Sequence, residues 1–184
     1  NQSKCPQGKY SETPKANSSE TCENCTAGKY SFKRAASHIS FCLECGRGKS
    51  GSLPGAGKSS ACVKCRPGLW LEGKGQSIAC KTCPKGWFNP TMGSDEPCTA
   101  CPAGYVQQNT SQALCLMCLP GKYQNSERKF ICQDCDEGKY TEDEGATRCS
   151  ACPKGFNQQK TGQSLCLPCF PGRYQDEPRK SNCN

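Results

Sequence analysis

Cys118-Leu119-Pro120-Gly121-Lys122-Tyr123 opens a stretch that runs through a polar loop and closes on Cys132-Gln133-Asp134-Cys135. Its pattern is C-x-x-G-x-aromatic, a loop, a second Cys, and two residues before the next unit's first Cys. The pattern recurs until it fills all 184 residues. First cysteines stand at 5, 25, 45, 65, 83, 101, 118, 135, 152 and 169. Second cysteines stand at 22, 42, 62, 80, 98, 115, 132, 149, 166 and 183. The units are therefore 5–22, 25–42, 45–62, 65–80, 83–98, 101–115, 118–132, 135–149, 152–166 and 169–183. Self-similarity at a fixed short period marks a stacked array of small modules, not a single core.

Composition agrees. Twenty residues are Cys and only 34% are hydrophobic even with Cys counted among them. Each unit lies far below the roughly 40 residues at which a domain folds without covalent or metal help. No apolar run approaches the roughly 20 residues of a membrane span. The chain starts just before one unit and stops one residue after a cysteine, which suits a piece of a larger protein. Charge is uneven. Residues 1–92 hold 14 Lys/Arg against 5 Asp/Glu, and residues 93–184 hold 10 against 11. A basic half can meet an anionic polysaccharide or an acidic neighbour, or be a solvated surface.

Glycine stands three residues after every first cysteine, from Gly8 through Gly172. That is a backbone demand: a positive φ or a close chain approach. Five residues after the cysteine comes an aromatic: Tyr10, Tyr30, Trp70, Phe88, Tyr123, Tyr140 and Tyr174. Tyr105 and Phe156 stand one place earlier, and the third unit has Ser50. The ring is expected to be each unit's miniature core, laid over its disulfide or a neighbouring turn. Helical periodicity is absent. Short extended pieces are expected around the aromatic and just before the second cysteine. A longer period of 51 residues relates Cys101–Cys132 to Cys152–Cys183, carrying for example Gln107, Gln124 and Arg128 onto Gln158, Gln175 and Arg179. It reads either as three units per superhelical turn or as duplication of a three-unit block.

Two chemistries compete for the cysteines. The C-x-x-C pairs have zinc-knuckle spacing, but zinc would take them two at a time, leaving one pair over and stranding Cys5 and Cys183. Disulfides within units use all twenty: Cys5–Cys22, Cys25–Cys42, Cys45–Cys62, Cys65–Cys80, Cys83–Cys98, Cys101–Cys115, Cys118–Cys132, Cys135–Cys149, Cys152–Cys166 and Cys169–Cys183. Spacing alone leaves a rival pairing between neighbouring units open. Disulfides in this number belong to an oxidising exterior, hence a secreted or cell-surface chain.

The run Cys5-Pro6-Gln7-Gly8-Lys9-Tyr10 through Cys22 resembles the single-disulfide first module of tumour necrosis factor receptor cysteine-rich domains. The tandem series resembles ephrin-receptor-like cysteine-rich repeats more closely still, over the whole chain. The resemblance implies a bridge between the first and second cysteine of each unit. Two-disulfide modules, which build the cytokine-binding face in the receptor family, are missing here. Uniform arrays of this kind resemble stalks of large extracellular proteins and surface or filament glycoproteins.

The remaining motifs are weaker. Sequons at Asn1, Asn17, Asn24 and Asn109 are N-glycosylation candidates, Asn24 being wedged inside a C-x-x-C. Gly46–Gly51 and Gly55–Ser59 mimic nucleotide loops but lack the strand–helix setting. His38, the only histidine, reads as a surface residue. Lys9, Lys29, Lys49, Lys122, Lys139 and Arg173 follow the repeat glycine and would line up as a cationic row. Such a row can bind anionic glycan, pair with Glu142-Asp143-Glu144 of a neighbouring molecule, or only keep the chain soluble.

The expected fold is small and disulfide-rich: one continuous array over residues 1–184, a rod or superhelix of ten short β/turn modules. The expected function is that of an extracellular structural glycoprotein repeat region, a stalk or a filament or surface-appendage component. The alternative is a receptor or adhesion ectodomain binding a protein or an anionic glycan. Self-association into filaments and covalent glycans are expected. Catalytic, cofactor-binding and metal residues, nucleic-acid binding and membrane insertion are not, and the chain reads as no enzyme.

Overall fold

The computed structural model describes residues 5–13 and 21–184. They fall into two compact units, Asn1–Cys83 with Asn89–Cys98, and Pro84–Phe88 with Thr99–Asn184. Both are built from the same module.

Every module closes through a disulfide between its first and second cysteine, with Cα atoms 5.4–5.9 Å apart. No cysteine is free. Regular structure is scarce. The described residues form nine two-stranded antiparallel ladders and two 3-10 turns, Ile39–Phe41 and Ser59–Ala61. Each ladder pairs the residues four and five places after the first cysteine with the dipeptide inside the following C-x-x-C. In the quoted stretch Lys122 faces Asp134 and Tyr123 faces Gln133. The second extended piece thus follows the second cysteine instead of preceding it. The dipeptide is held straight between two bridges, Cys118–Cys132 and Cys135–Cys149, while the residues before Cys132 turn to close the loop.

The buried centre is also placed differently from the aromatic expectation. The rings are half-exposed, and Tyr174 reaches 62%. The residue six places after the first cysteine is what the module buries: Ser31, Leu71, Asn89, Gln107, Gln124, Thr141, Gln158 and Gln175 are all 5% exposed or less. Successive residues of an extended chain face opposite sides, so burying the sixth position turns a ring at the fifth outward. In the sixth module, where the ring is Tyr105 at the fourth position, Val106 is buried as well, at 4%. The rings serve as cross-strand partners instead. Lys81 lies 4.6 Å from the Trp70 ring centroid, and Tyr10 Oη donates to Glu23 at 2.8 Å. The second contact raises the Tyr10 phenol above its ordinary pKa of 10.0.

A polar side chain at the buried sixth position needs internal partners. In four of the five shortest modules glutamine supplies them. Gln124 Nε2 donates to the Ile131 carbonyl at 2.8 Å, and its Oε1 accepts from Ser126 N at 3.2 Å. Gln107, Gln158 and Gln175 repeat both bonds. This clamp spans the loop that the disulfide closes. The first two modules, whose bridged cysteines are 17 residues apart, carry Ser11 and Ser31 here, and neither hydroxyl has a partner.

A second left-handed position lies ten residues after the first cysteine. It is Gly55, Gly75, Gly93, Gly145 and Gly162 in five modules, and Ala35, Ser111, Arg128 and Arg179 in four. A side chain in this conformation costs about 1 kcal/mol. Ala35→Gly is therefore expected to raise the stability of the second module by up to roughly 0.6 kcal/mol, once glycine's extra unfolded-state entropy is subtracted. Urea unfolding followed through this region measures it, and a loss of stability would refute the assignment.

Candidate functional site: the seam between modules

Inter-module contacts are the most regular feature of the molecule, and the quoted stretch shows all of them. Gly121 N donates to Thr141 O of the next module at 2.8 Å, and Gly121 O accepts from Cys135 N at 2.9 Å. Gln124 N donates to Ala146 O at 3.0 Å, and Gly145 N returns to Cys118 O at 2.7 Å. Four backbone bonds thus tie one module to the next. The first two of them occur in each of the nine successive pairs.

The repeat glycine also meets the module two places along. A Cβ on Gly121 would stand 2.2 Å from Gly162 O, while Gly121 itself has φ +83°. Gly8, Gly28, Gly48, Gly86, Gly104 and Gly138 have the same neighbour, the carbonyl of the left-handed residue two modules on, at 1.9–2.3 Å. Both reasons for glycine, positive φ and close approach, thus hold at one atom. The close approach recurs in these seven modules, neighbouring ones included, so making it requires no three-module register.

The seam leaves the cationic row only partly free. Lys29 pairs with Glu44 at 3.8 Å, Lys139 with Asp136 at 2.6 Å, and Lys122 with Asp134. Lys49 faces Lys64 across its ladder, a like-charge pair. Exposed pairs of this sort add little stability, about 0–1 kcal/mol each. At the far end Lys180 pairs with Glu177 at 2.9 Å, which raises the ammonium's pKa above 10.5.

The glycan candidates are placed unequally. Asn109 is exposed, with its backbone N–H held by Gln107 Oε1 at 3.0 Å. Asn24 sits on a strand facing Lys9, its carboxamide against Gly55 of the third module. Asn1 and Asn17 lie outside the described residues. His38 accepts from Ser40 N at 3.1 Å and lies 3.5 Å from the Glu12 carboxylate, on the surface. The two loops with nucleotide-loop spacing are seam structure: Lys49–Ser50 is a strand, and Gly55 is the left-handed residue packed toward Gly8.

One concave apolar surface stands out, and the sequence pattern did not indicate it. Leu165, Leu167 and Phe170, which are 55%, 59% and 80% exposed, border an open groove of about 720 Å³ around the Cys166–Cys169 seam. Leu114, Leu116 and Leu119 occupy the same places 51 residues earlier and are 57%, 52% and 62% exposed. No group of His, Cys, Asp and Glu among the described residues could hold a metal ion. No helix among them is long and apolar enough to cross a membrane.

Comparison with known proteins adds one finding. The family model described as tyrosine-protein kinase ephrin type A/B receptor-like matches residues 104–152 and again 121–163. No curated protein matches the chain. The matched segments begin at the repeat glycines Gly104 and Gly121, inside the same disulfide-closed modules and seams described above. The cysteine-rich modules of residues 104–163 are thus similar to ephrin-receptor-like repeats.

Proposed function

We propose that this chain is a structural repeat region of an extracellular protein, a stalk or a component of a filament or surface appendage. The observation that carries the reading is where the modules direct their backbone. The repeat glycine's N–H and C=O both bond the next module, and in seven modules its open face meets the carbonyl two modules along. Such contacts serve continuity along an array. The exposed Asn109 suits a covalent glycan, and the proposal assigns no catalysis. Self-association supplies the test. Negative-stain imaging of the native, full-length protein across ionic strengths is expected to show particles associating into linear assemblies. Isolated monomers under every condition would overturn the filament component.

A receptor or adhesion ectodomain is the second reading. The apolar groove at Leu165, Leu167 and Phe170 favours it, because exposed contiguous apolar surface is unusual outside interaction sites.

A further inference from the structure

The left-handed position ten residues after the first cysteine is arginine twice, at Arg128 and Arg179, each with a positive φ. Five modules use glycine there, which adopts this conformation freely. A long side chain in a disfavoured conformation points to a use for that side chain. For Arg128 the use is visible: its guanidinium carbon lies 5.1 Å from the centroid of the Trp87 ring. Trp87 stands four residues after the first cysteine two modules back. The residue in the same place relative to Arg179 is Lys139, a cation where its sibling has a ring.

Arg179 and Lys139 line an open cavity of about 190 Å³ together with Arg148, Asp136, Tyr123 and Asn125. Three modules contribute to it. Backbone contacts hold Arg179 at its edge: its N–H donates to Cys152 O at 3.2 Å, and its carbonyl fills the space beside Gly138. Asp136 is the one acid on the lining, and Lys139 neutralises it at 2.6 Å. Neither guanidinium has an ion-pair partner among the described residues, which leaves two positive charges around a small space. The Tyr123 hydroxyl and the Asn125 amide add neutral donors. A guanidinium presents a planar fork of N–H groups that matches an oxyanion.

We propose that this cavity is a subsite for an oxyanion, the sulfate group of an acidic sugar. The test uses the full chain at low ionic strength, titrated calorimetrically with sodium sulfate, a sulfated disaccharide, its unsulfated counterpart and an acidic peptide. The sulfated disaccharide is expected to bind and the unsulfated one not to. Arg179→Gly places at this position the residue most modules use, so it folds, with a thermal midpoint equal to or above the parent. Its affinity for the sulfated disaccharide is expected to fall about tenfold, the loss of one charge-assisted fork. Arg148→Gln should fall similarly, and Arg128→Gly should bind as the parent does. Unchanged binding by a folded Arg179→Gly, or no binding by the parent, overturns the site. Sulfate binding as tightly as the disaccharide, or the acidic peptide binding in its place, overturns the assignment to a sugar.

Discussion

Gly121→Ala is expected to destabilise its part of the array by about 3 kcal/mol, and Gly155→Ala by only about 1 kcal/mol. The two glycines have the same φ, +83°, so each alanine meets the same backbone strain. They differ in what stands beside them. The Gly121 Cβ would lie 2.2 Å from Gly162 O, whereas nothing lies within 4 Å of the Gly155 Cβ. Backbone carbonyls cannot swing aside as a flexible side chain does, so the methyl group has to push the module two places on out of contact. In a repeat array such damage stays local. Native-state hydrogen exchange should therefore report it at the amides of Gly121, Gln124, Cys135 and Gly145, which make the seam. Equal losses for the two variants would show that φ alone selects glycine and that the close approach carries no energy.

Graded reduction is expected to open the C-terminal bridges before the N-terminal ones, and complete reduction to unfold the chain. Closing loops of 14–17 residues restricts the unfolded chain by roughly 3 kcal/mol per bridge. That contribution is decisive for modules whose buried side chains are a cystine and one or two others. The order follows from access, because thiol–disulfide exchange requires the attacking thiolate to reach sulfur. Cys22, Cys42, Cys62 and Cys98 are 6–8% exposed. Cys80 is the N-terminal exception, half-buried like Cys115, Cys132, Cys149, Cys166 and Cys183, and Cys169 joins them, so Cys169–Cys183 has neither end covered. Alkylation with mass mapping after limiting reductant reads the order. Unchanged circular dichroism and protease resistance after full reduction would sink the claim that the bridges replace a core, and random order would sink the access argument.

Much of this fold is legible in one dimension. The cysteine period, the count that leaves none over and the glycine three places on are local in sequence, because a disulfide module closes on itself within 14–17 residues. The resemblance of the tandem series to ephrin-receptor-like repeats rests on those same positions. The buried sixth position left no such mark. Ser31, Leu71, Asn89, Gln107 and Thr141 differ in size and, at Leu71, in polarity, and what unites them is that the fold buries them. The conspicuous ring beside them drew the expectation of a core and proved to be a surface partner of residues such as Lys81 and Glu23.

The left-handed tenth position was hidden for a related reason, since Ala35, Ser111, Arg128 and Arg179 interrupt its run of glycines. The candidate site lay further out of reach. Tyr123, Arg148 and Arg179 come from three different modules, and no spacing rule joins them. By itself, the sequence determined the covalent skeleton and the place of each turn, because both depend on neighbours along the chain. Only the tertiary structure decided why Gly121 must be glycine in space as well as in φ, and which cations share a cavity. Both depend on what the module two places on brings alongside.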